Sequence, residues 1–241
     1  MQRKTVLLLG ANSDVAKAAM LRYAAKGFRI MAASRNTDVL SSFVSQHPPL
    51  RELATVLYFD AADVDSHAAF YAQLPEKPHI VVYAAGYLRH NEEALQDFAG
   101  SLQMMQVHYI GAVSILNIIA MDKENARLDR IIGLSSLSGV RGRKSNFIYG
   151  STKSAFTQYL AGLRQYLFKG RVTVNVIVAG YIRSKMTAGL NLPESLMLEP
   201  DFIAKAVVEA GNGFIIVPGF KWKIIYNILR IMPERLVAKL P

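Results

Sequence analysis

The stretch TVLLLGANSDVAKAAMLRYAAKGFRIMAAS (residues 5–34) predicts the fold. An apolar run leads into a turn that contains glycine, then into a segment with apolar residues at helical intervals, and then into a second apolar run. Near-continuous apolar runs indicate strands that are covered on both faces, as in a parallel sheet. Residues 5–34 are therefore predicted to form a strand, a helix and a second, parallel strand.

The same alternation continues along the chain. Further apolar runs of strand length are ATVLYFD (54–60), HIVVYAAG (79–86), LDRIIGLSS (128–136), RVTVNVIVAG (171–180) and GFIIVPG (213–219). With helical patterns between them, these runs predict an α/β fold with a doubly wound, seven-stranded parallel sheet of the Rossmann type. We expect a dinucleotide-binding domain over residues 1–218 and a C-terminal amphipathic helical tail over residues 219–241.

Composition excludes several classes of function. The chain has 241 residues, no cysteine and a net charge of +10, from 28 basic and 18 acidic residues. Disulfides, thiolate catalysis and zinc–cysteine sites are excluded, which fits a cytoplasmic protein. No apolar run reaches the roughly 18 residues of a membrane span, and no signal peptide is recognised. The charge fits nucleic acid, an acidic membrane or a phosphorylated substrate, but no nucleic-acid-binding motif occurs, so nucleic acid is not predicted as a partner.

The turn after the first strand is a candidate phosphate-binding loop. Gly10 ends the strand in GANSDVA (10–16), and Asn12, Ser13 or Asp14 can cap the following helix. Ligands of such sheets lie at the carboxyl ends of the strands, where the first helix offers free N–H groups to a pyrophosphate. An ordinary strand-to-helix turn is the alternative.

Tyr149 and Lys153 form a candidate proton-donating pair in NFIYGSTKSAF (146–156). A ketone that accepts hydride also needs a proton, and a tyrosine with a pKa of about 10 is a slow participant at neutral pH. A neighbouring ammonium lowers that pKa, and positions i and i+4 share one helix face. Tyr181 and Lys185 have the same spacing, so the spacing alone does not identify the pair.

A serine distinguishes the first pair from the second. Ser136 lies at the predicted carboxyl end of a strand, thirteen positions before Tyr149, where a parallel sheet places functional residues. Its hydroxyl is predicted to polarise the carbonyl group of a substrate. Ser135 is the alternative donor, and a serine that only caps a turn is the structural alternative.

These motifs together resemble the short-chain dehydrogenase/reductase family over residues 4–218. The resemblance implies an NAD(P)-dependent oxidoreductase in which Ser136, Tyr149 and Lys153 are catalytic. It also implies a set of cofactor-binding residues, namely Gly10, Asn12, Ser13, Asp14, Val15, Asp60, Ala61, Ala84, Ala85, Gly86, Tyr149, Lys153, Gly180, Ile182 and Ser184.

The end of the second strand bears on the choice of cofactor. Ser34 and Arg35 stand where an NAD-preferring enzyme usually offers an acidic residue to the ribose hydroxyls. A guanidinium group suits a 2′-phosphate. We therefore expect NADP(H) rather than NAD(H), with both residues in the cofactor site.

The sequence departs from the family pattern at three places. Asp14 and Ala16 stand where the family usually has glycine, and Ala179 replaces a proline. His108 stands where the family has a catalytic asparagine. We count His108 among the catalytic candidates, either as a hydrogen-bonding group or as a titrating relay; a buried, structurally satisfied imidazole is the alternative.

A narrower likeness concerns the substrate. RGRKSNFIYGSTKSAF (141–156) and the tail are similar to the decaprenylphosphoryl-2-keto-ribose reductase group, which implies a keto-sugar on a polyprenyl phosphate of the cell envelope. Arg141, Arg143 and Lys144 lie between Ser136 and Tyr149 and are candidates for binding a substrate phosphate, with a solvated loop as the alternative.

The tail is predicted to bind a membrane surface. In FKWKIIYNILRIMPERLVAKLP (220–241), apolar and basic residues interleave as in helices that lie in a membrane interface. Packing on the domain or on a sister subunit is the alternative, and the resemblance also implies possible homo-oligomers. A second hypothesis for the whole chain is a catalytically weak NAD(P)-binding regulatory or scaffold protein, motivated by the missing glycines and His108.

Overall fold

The computed structural model describes residues 3–240 and confirms the predicted doubly wound fold. One parallel sheet of seven strands has the order β3-β2-β1-β4-β5-β6-β7. The strands are β1 (Thr5–Leu9), β2 (Arg29–Ser34), β3 (Ala54–Tyr58), β4 (Ile80–Tyr83), β5 (Arg130–Ser136), β6 (Thr173–Ala179) and β7 (Ile215–Ile216). The strand order reverses between β1 and β4, and sheets of this kind bind ligands in the crevice outside the carboxyl ends of the strands at that point.

Helices cover both faces of the sheet. In chain order they are α1 (Asp14–Ala25), α2 (Thr37–Gln46), α3 (Pro48–Arg51), α4 (His67–Ala72), α5 (Asn91–Gln96), α6 (Phe98–Met105), α7 (Gly111–Met121), α8 (Phe147–Tyr166), α9 (Pro200–Val208), α10 (Phe220–Ile231) and α11 (Glu234–Val237). Helices α1, α2 and α9 pack in the core on one face, and α4, α7 and α8 pack in the core on the other. All five residues of β1 are buried, as its continuous apolar sequence requires.

The C-terminal tail is helical and packs on the domain. Trp222 and Leu229 of α10 are buried in the same core cluster as α7 and α8. The predicted division of the chain at residue 218 stays a prediction, and its ends at Met1, Gln2 and Pro241 lie outside the described residues.

Helices α6 and α7 are joined by a π-helical segment, Gln106–Ile110, into one long helix. Over the described residues this helix, Phe98–Met121, is the single one with the length and mean hydropathy, 1.5, of a membrane-spanning segment. The sequence expectation rested on uninterrupted apolar runs, which polar residues such as Gln106 break. Met104, Ile115 and Ile119 of this helix are fully buried in the protein, as in the core helices of α/β folds.

Candidate active site

A cavity of about 510 Å³ opens at the carboxyl ends of the strands, beside the switch in strand order between β1 and β4. The structure brings sixteen of the predicted cofactor residues to its wall, namely Gly10, Asn12, Ser13, Asp14, Val15, Ser34, Arg35, Asp60, Ala61, Ala84, Ala85, Gly86, Tyr149, Lys153, Ile182 and Ser184. Residues from six separate segments of the chain therefore meet at one cleft.

Gly180 is the exception among the predicted cofactor residues. It does not line the cavity, and a Cβ atom on it would overlap the indole ring of Trp222. The missing side chain of Gly180 makes room for α10, and its assignment to the cofactor site stays a prediction.

The phosphate loop is held in a tight turn. Gly10 has a φ of +86°, and a Cβ atom there would overlap the backbone of Ala85, so the position requires glycine. The backbone N–H groups of Gly10 and Ala11 both donate to the carbonyl oxygen of Ala33 over 2.9 Å. Ser13 caps α1 by accepting a hydrogen bond from the Ala16 N–H. The loop thus presents the first turn of α1, with N–H groups that have no intrahelical partner, to the cleft.

Asn12 tests whether the loop fits a dinucleotide. Its Nδ2 atom donates to the Ser34 hydroxyl over 2.8 Å and to the Asn36 carbonyl over 2.7 Å, which ties the loop to the end of β2. Its Oδ1 atom is buried and has no partner among the described residues. A buried acceptor without a donor at the wall of a cleft, beside the start of a helix, fits a bound ligand with hydroxyl or amide groups.

Asp14 has a different role from the two considered for it. Its Oδ2 atom accepts a hydrogen bond from the backbone N–H of Lys185 over 2.8 Å, and its Oδ1 atom lies 3.8 Å from the Lys185 ammonium. Asp14 therefore neither caps α1, which Ser13 does, nor stands alone toward the phosphate position. It joins α1 to the segment that follows β6.

Ser136 and Tyr149 lie side by side at the end of β5. The Ser136 hydroxyl lies close enough to the Tyr149 hydroxyl to lower the pKa of that phenol, and it accepts a hydrogen bond from the Ser138 N–H over 3.1 Å. Ser135 points the other way: its hydroxyl bonds to the Lys153 carbonyl and to Thr157 on α8. Of the two serines, Ser136 is the one close to the tyrosine hydroxyl, whereas Ser135 forms part of the cavity wall.

Lys153 is buried one helical turn after Tyr149. Its Nζ atom donates to the Leu134 carbonyl over 3.1 Å and lies 5.8 Å from the centre of the Tyr149 ring. Burial lowers the pKa of Lys153 to about 8. Burial raises the pKa of Tyr149 to about 12, and the hydrogen bond from Ser136 opposes that rise. The pKa of Tyr149 is thus raised and not lowered as expected, because desolvation of the phenolate outweighs the effects that favour it.

His108 lies in the π-helical segment and joins two walls of the site. Its Nε2 atom accepts a hydrogen bond from the Tyr87 N–H over 3.0 Å, which leaves the proton on Nδ1. Nδ1 lies 2.8 Å from the Thr152 hydroxyl oxygen, and that hydroxyl donates to the Tyr149 carbonyl over 2.7 Å. Burial, with a smaller effect of the Lys153 charge, holds the pKa of His108 well below its usual range. His108 is therefore neutral at physiological pH.

The three basic candidates for a substrate phosphate have different surroundings. The Arg141 guanidinium donates to the carbonyl oxygens of Leu229, Arg230 and Met232 at the end of α10. These carbonyls have no intrahelical donors, which is why an arginine satisfies them. Arg141 therefore caps the end of α10, and its role toward a substrate phosphate stays a prediction. Arg143 donates to the Ser138 hydroxyl over 3.3 Å, and Lys144 is exposed.

Several residues at the site were not predicted. Thr152 and Tyr87 hold His108, and Lys185 and Met186 form part of the cavity wall. Thr152 directly precedes Lys153, and Tyr87 directly follows the predicted cofactor segment. Both residues could therefore have been predicted from their position next to a candidate site residue. Lys185 shares its spacing from Tyr181 with the Tyr149–Lys153 pair, and that similarity gave it no predicted role. No sequence pattern indicates that Lys185 contacts Asp14.

Comparison with known proteins shows the family and the fold of the chain. The sequence model of the family described as short chain dehydrogenase matches residues 4–195. An uncharacterised oxidoreductase of Mycobacterium tuberculosis is 27% identical over 98% of this chain and 96% of its own. A 3-oxoacyl-[acyl-carrier-protein] reductase of Aggregatibacter actinomycetemcomitans is 30% identical over 74% of this chain and 76% of its own. A short chain dehydrogenase of Burkholderia cenocepacia in complex with NADP has a similar fold, with a TM-score of 0.84 and 18% identity over 100% of this chain and 99% of its own.

Proposed function

Because the chain belongs to the short-chain dehydrogenase family, an oxidoreductase family, we propose that it uses NADPH to reduce the carbonyl group of a small or lipid-linked substrate. The observation that carries this proposal is that Tyr149 and the buried Lys153 meet at the wall of the cleft, 5.8 Å from the ring centre to the Nζ atom, with Ser136 close to the Tyr149 hydroxyl. NADPH, when bound, supplies the hydride for the carbonyl carbon.

The side chains of the protein supply the proton and stabilise the charge that develops on the carbonyl oxygen. Tyr149, with a pKa of about 12, is a phenol at neutral pH and donates its proton to the carbonyl oxygen. Ser136 donates a hydrogen bond to the same oxygen and so favours the charge that develops there. Lys153 is mostly an ammonium below its pKa of about 8, and its charge stabilises the phenolate that Tyr149 becomes.

The phosphate-binding wall supports NADPH as the reductant. Arg35 is exposed at the end of β2 and lines the cavity beside Ser34, where a 2′-phosphate would meet a guanidinium group. The Burkholderia protein is in complex with NADP. A Sphingobium yanoikuyae short-chain dehydrogenase, with a TM-score of 0.81 and 17% identity over 99% of this chain and 96% of its own, is in complex with NADPH.

Replacement of Tyr149 by phenylalanine tests the proposal. The variant should lose at least about 100-fold in the rate of NADPH oxidation with a carbonyl substrate, because the proton donor is gone, and should still bind NADPH. Tyr166→Phe, at an exposed position on the same helix, is the matched control and should keep full activity. NADPH binding without turnover of any carbonyl by the wild type would favour the regulatory or scaffold alternative.

For the substrate we propose a keto-sugar, carried on a polyprenyl phosphate or a related cell-envelope precursor. The likeness to decaprenylphosphoryl-2-keto-ribose reductases supports this, together with the positive charges of Arg143 and Lys144 after β5, which form no ion pair within residues 3–240. The test compares one keto-sugar in free form and linked to a prenyl phosphate. We expect a higher kcat/KM for the linked form and a loss of that preference in Arg143→Ala; equal values for the two forms would contradict the proposal.

The outer face of α10 supports attachment to a membrane. Trp222 and Leu229 face the core, and the opposite face carries Phe220, Ile224, Ile228 and Ile231. Phe220 is 77% exposed and Ile231 is 76% exposed. Lys221 and Lys223 are also exposed, and positions of this kind flank the apolar stripe of an interfacial helix. We therefore propose peripheral binding at the cytoplasmic face of the inner membrane, with anionic lipid as the partner.

Removal of the tail is a poor test, because it would also remove Trp222 from the core. Ile224→Ser with Ile228→Ser keeps the packed face and weakens the outer one, and Leu95→Ser is a matched control at an exposed leucine of α5. We expect the double variant, but not the control, to lose binding to phosphatidylglycerol vesicles. Equal binding by the wild type and the double variant would contradict membrane docking, and loss of a dimer instead would assign this face to a second copy.

Homo-oligomers are a further proposal, supported by the outer side of the long helix and of α8. Tyr109, Ile110 and Phe147 are exposed there. Light scattering after gel filtration should give a dimer or a larger oligomer, which Ile110→Glu should dissociate; a wild-type monomer would contradict the proposal.

A further inference from the structure

Asp14 and Lys185 connect the two walls of the cofactor cleft. Asp14 is the first residue of α1, on the phosphate-loop wall, and Lys185 belongs to the segment after β6, which forms the opposite wall. One Asp14 oxygen accepts the Lys185 backbone N–H over 2.8 Å, and the other lies 3.8 Å from the Lys185 ammonium. Asp14 therefore fixes the backbone of Lys185 through the hydrogen bond and attracts its ammonium group through charge.

The charge of Asp14 needs this partner. A carboxylate at the start of α1 stands where the helix N-terminus favours a pyrophosphate, and two anions at one place repel each other. The glycine that the family usually has at position 14 would carry no such charge. Lys185 compensates the carboxylate, since it brings an ammonium to within 3.8 Å of it.

Lys185 has reach left for a second anion. The Lys185 side chain is 73% exposed, whereas that of Asp14 is 23% exposed. The ammonium of Lys185 lies 3.8 Å from the Asp14 carboxylate, which is a long distance for an ion pair. A lysine has a flexible stem and three donor hydrogens, so one ammonium can serve a carboxylate and a phosphate together. Lys17 lies on the next turn of α1, and burial followed by repulsion from Lys185 lowers the pKa of Lys17. Two ammonium groups close to one carboxylate leave an excess of positive charge on this side of the cleft.

We propose that Asp14 holds Lys185 across the cleft so that the Lys185 ammonium binds the pyrophosphate of the dinucleotide. Lys185 is then a cofactor-binding residue, and Asp14 is a positioning residue that acts through it. The inference rests on the proposed use of a nicotinamide dinucleotide, and it concerns how this chain binds the pyrophosphate without the usual glycine.

The test measures equilibrium binding of NADPH and NADH by nicotinamide fluorescence, without a carbonyl substrate. Lys185→Met keeps the length of the stem and removes the charge, and we expect about tenfold weaker binding at low salt. Because both nucleotides contain the pyrophosphate, the loss should be the same for NADPH and NADH. Lys123→Met, at an exposed lysine of the loop before β5, is the control and should bind like the wild type.

The role of Asp14 is tested in the double variant. Asp14→Ala should free the segment after β6, so that residues 183–190 exchange their amide hydrogens faster while β1 and β5 do not change. In that background Lys185→Met should cost less than threefold, because Lys185 is no longer held at the pyrophosphate. Unchanged binding by Lys185→Met, a loss confined to NADPH, or the full tenfold loss in the Asp14→Ala background would each overturn the inference. A wild type that binds neither nucleotide would instead overturn the proposed function.

Discussion

His108 donates the hydrogen on Nδ1 to the hydroxyl oxygen of Thr152, 2.8 Å away, and Thr152 passes a hydrogen bond on to the carbonyl oxygen of Tyr149. On its other side the same imidazole accepts the N–H of Tyr87. Both ring nitrogens are thus used, and neither can take up a proton without breaking a bond. Of the roles open to this residue, a fixed hydrogen-bonding group agrees with the contacts, whereas a titrating relay does not.

The first prediction follows from the low pKa of His108. A histidine whose folded pKa is depressed takes up its proton on unfolding, so the stability it supports is present above about pH 6.5 and is lost as the pH falls below that value. Urea unfolding of the wild type and of His108→Asn should show a difference in the free energy of unfolding that shrinks by about 1.4 kcal/mol per pH unit below pH 6. A difference that is constant from pH 7 to pH 5 would mean that His108 titrates normally in the folded protein.

The second prediction concerns the pH dependence of Lys153. Its folded pKa of about 8 lies below the ordinary value of 10.5, so the unfolded chain binds this proton more tightly and the folded chain pays roughly 3 kcal/mol at neutral pH. Lys153→Met should therefore lose activity but gain about 1–3 kcal/mol of stability at pH 7, with the gain disappearing between pH 8 and pH 10.5. In the wild type, kcat/KM for carbonyl reduction should fall above about pH 8 as the ammonium loses its charge. A gain that persists at pH 10.5 would show that packing, not charge, causes it.

The fold was readable from the chain because each strand is nearly continuous in its hydrophobicity. All seven predicted apolar runs contain a strand of the sheet, and helices fill the intervals. The contacts of Tyr149 with Ser136 were also accessible, because a helix and the end of a parallel strand constrain where both side chains lie. The local periodicity of the sequence is enough to predict the strands and helices and the side chains that they place at the ends of the strands.

Contacts between distant segments were not readable in this way. Gly180 contacts Trp222, Arg141 binds the end of α10, and Asp14 binds Lys185. The two partners of each pair are at least 42 positions apart in the sequence. Such pairs depend on how whole elements pack. For the same reason the sequence predicted a lower pKa for Tyr149, since neighbouring residues indicate a nearby charge but not the depth of burial.

The third prediction concerns cofactor preference. Arg35 is exposed at the end of β2, and over residues 3–240 it forms no ion pair, so its guanidinium is available to a 2′-phosphate. Arg35→Ala should weaken NADPH binding about 10- to 100-fold, as expected for a lost charge-assisted contact, and leave NADH binding unchanged. Arg51→Ala, at an exposed arginine of α3, is the control. Equal losses for the two nucleotides would remove the basis for an NADPH preference.

The fourth prediction compares two glycines. Gly10 has a positive φ and no room beside Ala85, so Gly10→Ala should lower the free energy of unfolding by about 2 kcal/mol or more and weaken dinucleotide binding. Gly162 lies on the outer side of α8 with open space around it, so Gly162→Ala should raise stability by about 0.5–1 kcal/mol. Thermal unfolding with and without NADPH measures both effects. A Gly10→Ala protein that binds NADPH normally would contradict the assignment of this turn.

The fifth prediction decides between two roles for Arg141. If its guanidinium caps α10, Arg141→Ala leaves three carbonyl groups without donors and should cost about 1–3 kcal/mol of stability. Trp222 is the one tryptophan of the chain, so its fluorescence reports directly whether α10 stays in place. Arg230→Ala removes an exposed cation next to the cap and keeps the capped carbonyl, and it should leave both readouts unchanged. If Arg141 bound a substrate phosphate instead, Arg141→Ala would raise KM while the Trp222 fluorescence and the stability stayed at their wild-type values.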